Sequence, residues 1–300
     1  MQTTGTLTFN ISVGKHKLPT AFPYQIIPNA RAYISPLHLK TYSGGSKDTV
    51  IHVGYPINPF LESSIMPYSK IWEQLWLYKH LASTINAGYI LIHLPKSPTE
   101  IRWYKAGLNL IIKRILTNEP DDAQWDGIVL LEIEPFTKAM YTWLEEKYNA
   151  KTFKEIVDVY FDRILSPLPF AKGRIKIAFD TAHMFSIGCK SLNDFKYLQN
   201  KCKEHLSDVI HLNGNVAGIR ESDEHIPFFV TTSQNKMVTA YGEEDYNNMI
   251  KHVFETFRIV ISENNFTKYP LYDYKAYHDW AVKNNVKIIP NPDAGKYTLV

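Results

Sequence analysis

The chain has 300 residues, enough for one large domain or two small ones. Its 45% hydrophobic and 21% charged residues are those of an ordinary globular protein, which excludes a disordered or fibrous chain. Its 33 basic and 30 acidic residues leave a net charge of +3, which neither demands nor excludes a nucleic-acid partner, because a local patch matters more than the total.

In chain order, apolar runs predict strands over Leu7–Val13, Ala32–Ser35, Thr49–Val53, Tyr89–Leu94, Gly127–Ile133, Ile175–Thr181, Val209–Asn213 and Arg258–Glu263. Helical periodicity separates the later ones, over Tyr68–Asn86, Thr99–Leu116, Phe153–Leu165, Leu192–His205 and Glu243–Glu255. Strands that alternate with helices imply parallel pairing. Eight such units predict an α/β chain forming a single (β/α)8 TIM barrel, whose usual size is about 250 residues. An open doubly wound sheet is the competitor, but Val13-Gly14-Lys15-His16 is not the glycine-rich phosphate turn such a sheet carries after its first strand.

The first repeats look degraded. Pro19, Pro23, Pro28 and Pro36 mark the stretch between Val13 and Thr49 as mostly loop. One domain over 1–300 is expected, with the barrel over about 7–282 and a C-terminal extension over about 283–300. A tyrosine-rich amphipathic piece, Tyr272 to Val282, precedes that Pro-rich end.

Two cysteines, Cys189 and Cys202, are no disulfide framework and point to a reducing compartment. Cys189 follows Asp180 and His183 closely, yet a small buried hydrophobe is its simpler reading. The N-terminus lacks a basic start with an apolar core, and no uncharged apolar stretch approaches the ~20 residues of a membrane span. A soluble, intracellular monomer is expected, in a cytoplasm, nucleus or virion, with no membrane partner.

The strand ends carry the chemistry. A strand buried on both faces should continue with Val, Ile or Leu, but these runs stop at ionisable residues. Strand three ends in His52 and strand four in His93. Strand five offers Glu132 and Glu134, strand six Asp180 with His183 a turn later, strand seven His211, and strand eight Glu263. Asp223 and His225 follow in the loop after strand seven. Barrel active sites lie at the C-terminal strand ends. A lone histidine there is more often a hydrogen-bonded core residue, but the set as a whole resists that reading. Carboxylates gathered at one barrel mouth repel one another, and each buried unpaired ion costs several kcal/mol of desolvation. Cations remove both costs. Imidazoles beside carboxylates favour zinc, manganese or iron over magnesium or calcium. So many ligands suit a cluster of two or three ions. Glu132 and Glu134 share one strand face by the two-residue period; Glu132 is favoured because it directly follows the apolar run.

Three short motifs, Asp180-Thr181-Ala182-His183 with Gly188, His211-Leu212-Asn213, and Asp223-x-His225, resemble those of the endonuclease IV family, zinc-dependent apurinic/apyrimidinic endonucleases built on a xylose-isomerase-like TIM barrel. His52-Val53-Gly54-Tyr55 with Ile57-Asn58, and His93, also resemble family segments, and the likeness spans roughly 7–265. The resemblance implies three Zn2+ ions per chain, with Mn2+ or Fe2+ possible in some positions. His52 and His93 would hold one ion, and Asp180, His211 and Glu263 a second, with the strand-five glutamate bridging them. His183, Asp223 and His225 would hold the third. The implied reaction is hydrolysis of the phosphodiester 5′ to an abasic site in duplex DNA, in base-excision repair, by a metal-bound hydroxide. Glu132 or Glu263 would orient the nucleophile, and Tyr55 with Pro56 would wedge into the abasic gap. Two departures bear on this. Gly214 stands where the family has Asp, and Glu224 where it has Arg, which removes a positive charge from a loop expected near phosphate.

The rivals are a sugar isomerase or epimerase on a related metal barrel, a non-catalytic DNA-binding protein on a decayed barrel, and a phosphoesterase without DNA preference. Metal count and cleavage of abasic DNA separate them.

Overall fold

The computed structural model describes residues 5–11, 16–18, 23–120, 122–165, 173–214, 243–263, 279 and 281–288. Its strands are β1 (Thr6–Ile11), β2 (His16–Leu18), β3 (Tyr24–Ile26), β4 (Tyr42–Gly44), β5 (Thr49–His52), β6 (Tyr89–His93), β7 (Ile128–Glu132), β8 (Ile175–Asp180), β9 (Leu206–His211), β10 (Ile259–Ser262) and β11 (Lys287–Ile288). The α-helices are α1 (Glu62–Ile65), α2 (Lys70–Thr84), α3 (Pro98–Ile111), α4 (Lys138–Tyr148), α5 (Phe153–Asp158), α6 (Thr181–Ser186), α7 (Leu192–Lys201) and α8 (Glu243–Thr256). The main sheet runs β10-β9-β8-β7-β6-β5-β3-β1-β11, and β1 also pairs with β10 in parallel. This strand order, alternating with helices, is that of an α/β TIM barrel. No described helix is long and apolar enough to cross a membrane.

Contacts group the chain into two compact units, one of Met1–Asn10, Ile133–Ser166 and Ala178–Val300, the other of Ile11–Glu132 and Pro167–Ile177. In the second, β3, β5, β6 and β7 pair side by side in parallel. Their inner residues, among them Ile26, Val50, Ile51, Ile90, Leu91, Val129, Leu130 and Leu131, are fully buried, as strands covered on both faces require. Helix α2 starts at Ser69, whose hydroxyl accepts the Trp72 N–H. It buries Leu75, Tyr78, Leu81 and Ala82. Helix α3 starts at a capping box of Ser97 and Glu100, with Pro98 in its first turn. Buried Lys79 of α2 donates to the Thr117 carbonyl (2.8 Å) and to Asp122 (2.7 Å). Arg174 donates to the carbonyls of Gly127, Leu116 and Trp125. Both residues secure the segment that leads into β7, at the N-terminal end of that strand.

In the first unit, β9, β10 and β1 pair in parallel. Phe195 of α7 packs its ring against those of Phe179 in β8 and Phe257 just after α8. Helix α7 starts at Ser191, which accepts the Asp194 N–H.

Two expectations need correction. The predicted strand Ala32–Ser35 is irregular backbone, and the strand of that repeat is Tyr24–Ile26. Its Pro23 and Pro28 flank rather than interrupt it, and Gln25, which breaks the apolar pattern, is buried. Helix α4 was not expected at all. It buries only Met140, Tyr141 and Leu144, so its apolar stripe is short. Within the expected extension, residues 287–288 pair with β1 as a short strand. Helices α3 and α5 also end in wider π-helical turns, Ile112–Leu116 and Val159–Leu165, inside the spans expected for single helices.

Candidate metal centre

Register builds the first ligand set. In the β6–β7 pair His93 lies opposite Glu132, and in the β5–β6 pair His52 lies opposite Leu91. Leu91 and His93 are two residues apart, so all three ligands share one face. His52 is 3% and Glu132 1% exposed, while the His93 side chain is 18% exposed. His93 Nε2 lies 3.2 Å from His52 Nε2 and 3.4 Å from Glu132 Oε2, and His52 Nε2 lies 3.7 Å from the same oxygen.

The tautomer of His52 follows from its other nitrogen. Nδ1 is 2.9 Å from the Val53 carbonyl, which can only accept. The proton therefore sits on Nδ1, and the Nε2 lone pair points toward His93 and Glu132. A backbone carbonyl behind a ligating histidine is the usual way such rings are oriented.

Gly54 holds the next turn. A Cβ there would come within 2.1 Å of the Asn29 carbonyl oxygen. The Gly54 N–H donates to the Tyr78 hydroxyl, and the Tyr55 N–H donates to the Ala30 carbonyl. This presents Tyr55 at 58% exposure with its ring 5.3 Å from that of His93. Pro56 beside it is half-buried.

The second set ends β8, β9 and β10. Asp180 and His211 are buried, and the Glu263 side chain is 7% exposed. His211 pairs with Ile261, so Glu263, two residues on, lies on the same face. His211 Nδ1 lies 3.2 Å from Glu263 Oε2 and 3.7 Å from Asp180 Oδ2. Asp180 also caps α6: its Oδ1 accepts the N–H groups of Ala182 (2.6 Å) and His183 (3.3 Å). Gly188, at φ 109°, follows the end of that short helix in a conformation that favours glycine.

These distances test whether a metal fits. Ligands about 2.1 Å from a tetrahedral ion stand about 3.4 Å from one another. Every separation above lies within a few tenths of that value, and each set gathers nitrogen and carboxylate oxygen donors with ligand atoms within 4.8 Å. Both sets are thus candidate divalent-metal subsites. The first offers two imidazoles and one carboxylate, the second one imidazole and two carboxylates.

His183 is buried, with Nδ1 2.9 Å from the Ile133 carbonyl, so its Nε2 also keeps its lone pair. Asp223 and His225 lie outside the described residues. Glu134 is buried but joins no such set among the described residues. Sequence reading gave Asn213 no role. It is buried, donates to Asp180 Oδ2 (2.5 Å) and accepts the Glu263 N–H (2.9 Å). Its place two residues after His211 was the available signal.

No protein-family model matches the chain, and no curated protein matches its sequence. Among solved structures, the crystal structure of AsfvAP:AG is 15% identical, with 92% of this chain and 98% of that one covered and a TM-score of 0.55. A D-tagatose 3-epimerase-like protein is 13% identical, with the same coverage and a TM-score of 0.56. These likenesses show a shared TIM-barrel fold.

Proposed function

We propose that this protein is a metal-dependent phosphodiesterase that cuts DNA 5′ to abasic sites. The observation that carries the reading is the pair of ligand sets at tetrahedral spacing, placed on the motifs that resemble endonuclease IV. His52, His93 and Glu132 would hold one ion, and Asp180, His211 and Glu263 another. His183, with Asp223 and His225, would hold a third. Bound divalent cations would supply Lewis acidity to the phosphoryl oxygens and bring the pKa of water toward about 7.

The chain's own residues have distinct tasks in this scheme. The Val53 carbonyl keeps the His52 proton on Nδ1. Glu132 or Glu263 would orient the attacking water, whose oxygen bonds to phosphorus as the bond to the 3′-oxygen breaks. The leaving oxygen takes a proton and becomes a 3′-hydroxyl. Tyr55, exposed beside His93, stacks in the gap left by the missing base.

The fold of the D-tagatose 3-epimerase-like neighbour keeps a second reading in view, isomerisation or epimerisation of a sugar. Such chemistry generally uses one or two ions, and no part of it requires a third ligand set after β9. The deciding experiment measures metal per chain by elemental analysis and incubates the same protein with an abasic duplex and with ketose sugars. About three ions, with a single nick 5′ to the abasic site, is the expected result. One ion or fewer, or turnover of the sugars with the duplex intact, would sink the proposal.

A further inference from the structure

The amide of Asn213 touches two of the three ligand-bearing residues of the second set and is two residues from the third. Its Nδ2 donates to Asp180 Oδ2, and its Oδ1 accepts the backbone N–H of Glu263. These partners fix the orientation of the amide: a carboxylate only accepts and an N–H only donates, so a flipped side chain would fail at both ends.

The side chain is not needed to hold its own segment. The Asn213 backbone is already held by Thr181, whose hydroxyl donates to the Asn213 carbonyl (2.6 Å) and accepts the Asn213 N–H (2.9 Å). Nor is Asn213 needed to hold the other carboxylate oxygen of Asp180, because Oδ1 is engaged by the first N–H groups of α6. What remains for the amide is Oδ2, the oxygen that faces His211 Nδ1, and the backbone position from which the Glu263 side chain reaches the same nitrogen.

We infer that Asn213 is the positioning residue of the Asp180–His211–Glu263 subsite, holding both carboxylates at ligand spacing for a divalent cation. The inference rests on the metal centre proposed above. An asparagine suits the task because a single planar group offers a donor and an acceptor on opposite sides. Aspartate would offer no donor, and alanine would leave Asp180 Oδ2 and the Glu263 N–H without this partner.

The test uses the full chain with Zn2+ as probe, in competition with a chromophoric chelator, and Co2+ for its visible spectrum. With His52 and His93 replaced by Ala, only ligand sets other than the first report. There Asn213→Ala should weaken Zn2+ binding about 10- to 100-fold, the usual effect of removing a partner behind the ligands. It should also shift the Co2+ bands. With His211 replaced by Ala instead, Asn213→Ala should leave Zn2+ binding by His52, His93 and Glu132 unchanged. Unchanged affinity in the first background, or equal losses in both, would overturn the inference.

Asn213→Asp guards against a variant that fails for lack of stability. It keeps the acceptor for the Glu263 N–H but sets a carboxylate against Asp180. Its metal-free Tm should fall, and Zn2+ should raise Tm by less than it does in the unaltered protein, because the donor to Asp180 Oδ2 is lost. An equal rise would also overturn the inference. Unaltered protein that binds no metal would sink the proposed centre itself, and this inference with it, whatever the variants do.

Discussion

The two ligand sets solve the same problem in different ways. His52, His93 and Glu132 make a nitrogen-rich set, oriented from behind by one backbone carbonyl and left partly open at His93 under an exposed tyrosine. Asp180, His211 and Glu263 make an oxygen-rich set, closed from solvent and held by two helix N–H groups and one amide side chain. Imidazole lone pairs need only a turned ring. Buried carboxylates need hydrogen bonds as well, because each charged oxygen taken from water carries a desolvation cost. In the function proposed above, the open set would meet substrate and the closed one would hold its ion away from solvent. The softer donors of the first favour zinc, while the harder second set also admits manganese or iron.

The sharpest break of this contrast is Asp180. Asp180→Ala removes a ligand and the α6 cap together, so turnover on abasic duplex should fall by orders of magnitude and stability by about 1 kcal/mol. Asp180→Asn keeps an acceptor for the cap. It should lose comparable activity with most of the stability retained, as read by Tm and by metal per chain. Equal Tm losses in the two variants would mean that the cap contributes nothing.

On the open set, Glu132→Gln should lower metal content by about one ion per chain, whereas Glu134→Gln should leave it intact. The opposite ranking, measured by elemental analysis and cleavage rate, would move the strand-five ligand two residues along and break the pairing with His93.

Tyr55→Ala should weaken binding to abasic duplex about ten-fold, since stacking on a base is worth roughly 1–3 kcal/mol. Metal content should stay constant, and binding to intact duplex should change less. Equal losses on both duplexes would make Tyr55 a general contact. Glu224→Arg should tighten affinity modestly and increase its salt dependence, without adding an ion.

The smallest effect is a control at the N-terminal end of β7, where neither set lies. Desolvation would raise the pKa of Asp122, but hydrogen bonds from Lys79, the Ala123 N–H and His80 outweigh it and hold the carboxyl below its ordinary value. A depressed carboxyl stabilises the fold above its unfolded pKa, and that contribution fades as pH falls through the lower folded value. Asp122→Asn should thus lower Tm at neutral pH, with the difference from the unaltered protein shrinking in strong acid. Metal content should not change.

Much of the barrel and of its ligand sets is legible in the order of residues alone. The apolar runs that end in His52, His93, Glu132, Asp180 and His211 are strands ending at or next to those residues, because a period of two and an abrupt change of residue type are local properties. Helix α4 is not legible, since three buried side chains leave too faint a stripe, and neither is the strand at Tyr24–Ile26, whose buried Gln25 interrupts the apolar pattern.

The sequence by itself determined which donor atoms exist and that they fall at strand ends. It could not decide which atoms meet. Period two puts Glu132 and Glu134 on the same face, and only the β6–β7 register sets Glu132 opposite His93. Histidine offers two nitrogens, and only a distant or neighbouring carbonyl decides that His52 turns Nε2 inward, while His211 presents Nδ1 to its carboxylates. Asn213 belongs to a motif in the sequence, but its amide has no assignable partners until β8, β9 and β10 are side by side. Register and the partners of a buried amide are set by hydrogen bonds between segments far apart in the chain, and these form only when the strands assemble.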